Sequence, residues 1–170
     1  MKFHTMHLIF SLLTSAIAFA GTDVQFLEEM TMHHKQAVDM AKMADKKLSS
    51  SAVKKMNKKI MEDQQKDIAR MAKWKKELSS DTTTAGDKNA AMNMPMDMNM
   101  AEMENLKGKD FDAKYLEMMS AHHSQGVSMV QKYLSDLSNP NVKRFAEKTA
   151  KIQESEIDKM SEMKKEISGN

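Results

Sequence analysis

The chain has no cysteine, two prolines, five glycines and few aromatic residues: one Trp, two Tyr and six Phe in 170 positions. Without cysteine there are no disulfide staples, no thiolate ligands and no cysteine-based electron-transfer centre, so the fold must be held by its core. Scarce glycine and the absence of β-branched runs give no case for a sheet. Charge of one sign is also lacking. Lys and Arg number 26 against 24 Asp and Glu, and they are interspersed, which argues against a nucleic-acid partner. No Ser/His/Asp nucleophile pattern and no phosphate-binding glycine loop is present.

Long apolar runs are missing too. The most apolar stretch, Leu8 to Ala20, is too short for a membrane span. It follows Lys2 and ends in Ala18-Phe19-Ala20, a small-x-small cleavage signal. Residues 1–20 therefore read as a signal peptide, with a mature chain starting near Gly21. That implies export to a bacterial periplasm or beyond, with no membrane insertion after cleavage.

What the chain does have is methionine, at 20 positions, and histidine in an uneven pattern. Beyond the leader the histidines are His33, His34, His122 and His123, two adjacent pairs. Residues 23–78 and 112–167 align at a constant offset of 89, and 20 of the 56 pairs are identical. The identities include Met30/Met119, both histidines, Met40/Met129, Gln64/Gln153 and Met71/Met160. The chain is an internal duplication.

Each half reads as two helices. Asp23 is placed to cap the first, whose apolar residues Leu27, Met30, Ala37, Val38, Ala41 and Leu48 recur at helical spacing. Ser49-Ser50-Ser51 makes the turn, replaced in the second half by Asn139-Pro140, a cap followed by proline at the first helical position. The second helix carries Val53, Met56, Ile60, Met71, Trp74 and Leu78 on one face. Two such hairpins bury their stripes best against each other. The expectation is a single all-α domain over 21–170, a ferritin-like four-helix bundle of two duplicated hairpins (23–78 and 110–168) joined by a connector over 79–109.

On a helical wheel Met30, His34, Ala37 and Ala41 fall near the centre of the apolar stripe, with His33 and Met40 at its edge. Gln64 and Asp67 share the inward face of the second helix with Ile60 and Met71. Half two repeats this with Gln153 and Glu156 beside Met160. In an antiparallel hairpin Met30 then lies level with Met71, and His33 and His34 level with Gln64 and Asp67. Met119 lies level with Met160, and His122 with Glu156. The plain alternative is a core histidine satisfied by Gln and Asp, with methionine as apolar filling. Recurrence of the pair at one level with polar groups favours use, because buried polar groups are costly and a ligand histidine needs a partner to fix its tautomer. His34 is the expected inward ligand. His33 is expected to pair with Met30 or Met40, or to orient its neighbour.

The connector carries Met92, Met94, Met96, Met98 and Met100 alternating with Asn, Pro and Asp. Pro95 and the polar neighbours indicate an extended loop. A loop has little core to fill, so packing does not account for these methionines, whereas closely spaced thioethers suit a soft cation. Compositional drift and a partner-binding segment are the alternatives. Met32 and Met43, on the outer side of the first helix, hint at a further site found in the first half alone.

The segments FLEEMTMHHKQAVDMA and YLEMMSAHHSQGVSMV, each followed by Gln-x-x-[Asp/Glu]-Ile-x-x-Met, resemble the bacterial domain-of-unknown-function family three-hundred-and-five. The resemblance covers nearly the whole mature chain in two copies. It implies a ferritin-like fold and, through the family's copper-binding members, periplasmic copper binding in copper resistance and homeostasis. Iron ferritins carry Glu-x-x-His on their inward faces. Here the spacing is Met30-x-x-His33 and Met119-x-x-His122, which exchanges a hard ligand for a soft one.

The first expectation is thus a non-enzymatic protein that sequesters, buffers or hands on Cu(I), with Ag(I) as a second soft cation and Cu(II) as a further candidate at the histidines. Its protein partner would be a copper exporter or a periplasmic cuproprotein. The second is a ferritin-like oxidase of cuprous or ferrous ion, built on the four histidines with Asp67 and Glu156. The third is a metal-free bundle that meets a partner through the Met-rich connector.

Overall fold

The computed structural model describes residues 13–80 and 100–169. Among the described residues the elements are α1 (Leu13–Asp45), α2 (Ser51–Ser80), α3 (Gly108–Tyr133) and α4 (Pro140–Ser168), with a 3-10 turn at Met100–Met103 before α3. Among the described residues there is no strand. The expected all-α bundle of two hairpins is what forms. α1 packs on α2 and α3 on α4, and the hairpins meet chiefly through α1 and α3.

The helix ends show how the local sequence works. Asn139 caps α4, its side-chain oxygen accepting from the backbone N–H of Asn141 and Val142, with Pro140 in the first turn. That is the expected device at the expected place. Asp23 behaves differently. α1 already begins at Leu13, so Asp23 lies inside a helix and caps nothing there. Its buried carboxylate instead crosses to the α3–α4 turn, where it accepts from the backbone N–H of Ser138 (3.2 Å) and Asn139 (2.9 Å) and from the Ser138 hydroxyl (2.6 Å). Its repeat mate Asp112 makes the reciprocal set at the α1–α2 turn, accepting from Ser49 N (2.8 Å), Ser50 N (2.7 Å) and Ser49 Oγ (2.6 Å). Each hairpin thus fastens the turn of the other, and α1 and α3 run antiparallel about a pseudo-two-fold axis.

The apolar interior splits into two clusters. One, at the α1–α2 turn, contains Met40, Met119 and Met160 with Leu48, Phe111, Tyr115 and Met103. The other, at the α3–α4 turn, contains Met30, Met71 and Met129 with Phe26, Val142 and Phe145. Each cluster takes two of the level-matched methionines from one hairpin and a third from the other. A departure from the dyad is the buried Tyr115 hydroxyl, which donates to the Asn57 side chain at 2.5 Å. The corresponding positions hold Phe26 and Ala146.

The crossed carboxylates carry a test. Hydrogen bonds to a charged acceptor contribute about 1.5–3 kcal/mol, and an orphaned buried donor costs about as much. Asp112→Ala is therefore expected to lower stability by roughly 2–4 kcal/mol in urea unfolding while far-UV helicity is retained. A loss below about 0.5 kcal/mol, the size of an ordinary surface substitution, would show that the clasp does not hold the hairpins together.

Candidate metal site

Between the two apolar clusters lies a belt of polar side chains. His33, His34, His122 and His123 are all buried, at 1, 1, 2 and 0% exposure. Gln64 and Gln153 are buried at the same level, with Asp67 and Glu156 part-buried at its rim. Adjacent residues on a helix diverge by about 100°, and each pair uses that divergence to address two neighbours. His34 and His123 point to their own hairpin partners. His123 Nε2 lies 2.9 Å from Glu156, and His34 Nε2 lies 3.8 Å from Asp67. His33 and His122 turn to the opposite hairpin and stack on one another, ring centroids 3.8 Å apart and planes 26° from parallel.

This corrects the expectation for His33. It does not sit at an edge but lies buried against His122, because the wheel of a single hairpin leaves out the helix that covers it. α3 lies over that edge and buries both His33 and Met40. The supporting groups Gln64, Asp67, Gln153 and Glu156 fall level with the histidines as expected.

Hydrogen bonding fixes where the lone pairs are. His33 Nε2–H donates to the backbone carbonyl of His122 at 2.9 Å, which leaves Nδ1 as the basic nitrogen. His123 Nε2–H donates to Glu156, with the same consequence. The Nδ1 atoms of all four histidines are buried and without a partner in the protein, as are His122 Nε2, Gln64 Oε1 and both amide atoms of Gln153. A buried polar atom left unpaired costs about 1–3 kcal/mol. At that cost eight of them would match or exceed the net stability of a whole domain, about 5–15 kcal/mol.

The two stacked rings, His33 and His122, are also held neutral. Burial, reinforced by the other histidines, lowers the His33 pKa to about 4 against the help of its carbonyl partner. Burial first, then His33, His123 and His34, lowers that of His122 to about 2. Imidazoles with unpartnered Nδ1 atoms, beside clusters rich in thioethers, fit a soft cation of low coordination number. Among the described residues no group of three or more His, Asp or Glu donors converges at metal-binding spacing. Asp67 and Glu156 belong to opposite hairpins, each nearest the second histidine of its own pair.

Two features of the site escaped the sequence pattern. Gly126 stands where the first half has Ala37, and a Cβ there would lie 2.2 Å from Gln153 Oε1 and 2.7 Å from His33 Cε1. Its lack of a side chain is what lets Gln153 and His33 into the space. A glycine in a helix interior at a repeat position was the available signal. The second feature is a cleft of about 200 Å³ between α2 and α4, with His34, Gln64 and Gln153 in its wall and Asp67, Arg70 and Glu156 toward its rim. It exists because the hairpins meet through α1 and α3.

Of the other expected ligands, Met30, Met40, Met71, Met119, Met129 and Met160 are all buried beside the belt. Met92, Met94, Met96 and Met98 lie outside the described residues, and Met100 opens the 3-10 turn. Met43 is exposed and Met32 part-buried. Eleven residues separate them along one helix, roughly 16 Å, too far to share an ion.

A family model, described as domain of unknown function DUF305, matches residues 23–164. The chain belongs to the DUF305 family. A DUF305 protein of Streptomyces coelicolor superposes with a TM-score of 0.74 at 27% identity, over 86% of this chain and 94% of that one. CopM in its Cu(II)-bound form gives 0.69 at 26% identity, over 85% and 96%. CopM in its Cu(I)-bound form gives 0.66 at 26% identity, over 83% and 94%. No curated protein matches the sequence. The solved structures similar to this chain thus include one protein with copper bound and with silver bound.

The neutral rings set a pH dependence. An unfolded histidine titrates near 6.5, above the folded values of about 4 and about 2 for His33 and His122. Their neutral burial is therefore free of penalty above pH 6.5, and stability falls as the pH drops below it, because the unfolded chain binds protons first. Metal-free protein at about pH 5 should be roughly 3–4 kcal/mol less stable to urea than at about pH 7.5. The double variant His33→Gln/His122→Gln should flatten that slope. A flat profile in the unsubstituted protein would contradict the assignment.

Proposed function

We propose that this chain is an exported copper-binding protein that sequesters, buffers or hands on Cu(I), and accepts Ag(I), in copper resistance and homeostasis. The observation that carries the reading is the set of four buried Nδ1 atoms without a partner in the protein, set between two methionine triads. Thioethers and neutral imidazoles are the donors that prefer a soft monovalent ion, and unlike thiolates they do not oxidise to disulfides in an oxidising compartment. The family relative crystallised with Cu(I), Cu(II) and silver supports the same class of ligand.

In this reading the inner ligands are drawn from His33, His34, His122 and His123 with Met30, Met71 and Met129 on one side and Met40, Met119 and Met160 on the other. Glu156 orients the His123 ring, and Gln64, Asp67 and Gln153 lie beside the histidines. Met92, Met94, Met96, Met98 and Met100 form a separate thioether site of higher capacity and lower selectivity, suited to passing the ion to an exporter or cuproprotein. Export rests on the leader-like residues 1–20. Two facts support a mature start near Gly21: Asp23, the buried clasp residue, lies just downstream, and the family match also begins at residue 23. Among the described residues no helix is long and apolar enough to cross a membrane.

The mature protein is expected to withdraw Cu(I) from a colourimetric chelator at micromolar copper, and failure to compete would remove the reading. Replacing Met92, Met94, Met96, Met98 and Met100 with leucine should lower the copper stoichiometry and leave helicity intact. An unchanged stoichiometry would exclude the connector as a ligand.

A further inference from the structure

The two half-sites share a repeat but not an environment. In the second half, His123 is wholly buried and its Nε2–H is held by Glu156 at 2.9 Å. Glu156 is itself approached from outside by Lys59 at 3.7 Å. In the first half the corresponding acid is Asp67, shorter by one methylene. Arg70 draws it outward at 3.1 Å, and it stands 3.8 Å from His34, beyond hydrogen-bond reach. The residue that corresponds to Arg70 in the second half is Lys159. The α2–α4 cleft has His34 in its wall, whereas His123 lies behind Glu156 and is not part of the lining. Two nearly buried amides, Gln64 and Gln153, also line the cleft and keep unpaired atoms.

On the copper-binding reading above, we propose that the half-sites divide the work. His34 is an entry site, loaded through the α2–α4 cleft, and His123 is a holding site. Glu156 is the positioning residue that makes the difference. By accepting the Nε2–H of His123 it fixes the tautomer that presents Nδ1, and it raises the basicity of that nitrogen. His34, with no such hydrogen bond, is a weaker and more labile donor that forms part of the cleft wall. Asp67 retracted onto Arg70 keeps it so. The stacked His33–His122 pair lies between the two and supplies the nitrogens across which an ion would pass from one half to the other.

Redox-inert Ag(I) and the full chain with labelled histidine rings test this by NMR. At sub-stoichiometric Ag(I), His34 resonances should show fast exchange and His123 resonances should show separate free and bound signals. Glu156→Gln should speed exchange at His123 by roughly ten- to a hundred-fold, the usual cost of losing such an outer partner. Asp67→Glu, which supplies the missing methylene, should slow exchange at His34. Equal exchange at both rings in the unsubstituted protein would overturn the division of labour but leave copper binding standing, as would exchange unchanged by both substitutions. Ag(I) that perturbs none of the four rings would overturn the proposed function and this inference together.

Discussion

Everything in the core is arranged around one constraint: the interior of a small bundle contains imidazoles whose Nδ1 atoms have no partner within the protein. The dyad makes that constraint unavoidable. A duplicated hairpin packed through α1 and α3 sets His33 against His122, ring on ring. The neighbouring histidine of each pair is then turned to its own hairpin. Two unlike orientations thus follow from one repeated dipeptide. The crossed clasps of Asp23 and Asp112 fix the register in which this happens. The methionine triads lie in the apolar clusters on either side of the belt. Burial then holds the His33 and His122 rings neutral, and a neutral ring is the form that can donate to a metal.

Duplication also sets what differs. Once two copies exist, each can drift, and the drift here falls on the polar belt and its lining. Ala37 against Gly126, Asp67 against Glu156 and Arg70 against Lys159 are all non-identical pairs. The histidines and the methionines of the triads are the same in both halves. The donors are symmetric, while the groups that tune and expose them are not.

Much of this was legible in the sequence, for physical reasons that can be named. The offset of 89 gave the hairpins, and helical spacing gave their buried stripes. Summing positions across a turn placed Met30 with Met71 and Met119 with Met160, since helices in an antiparallel pair advance at equal rates. What stayed hidden depended on the second hairpin. The burial of His33 and Met40, the third methionine of each triad and the cleft all arise from how α1 meets α3, and periodicity within one hairpin carries no information about that. The role of Asp23 was misread for the same reason. A local cap and a long-range clasp use the same residue type, and the three-dimensional partner alone tells them apart.

The central claim is that methionine sulfur and histidine nitrogen of the inner belt hold one soft ion together. X-ray absorption at the copper edge of Cu(I)-loaded protein, with Met92, Met94, Met96, Met98 and Met100 replaced by leucine, tests it most directly. The account predicts a first shell that contains both sulfur and imidazole nitrogen. A shell of nitrogen and oxygen alone, or a variant that retains no copper, would contradict it.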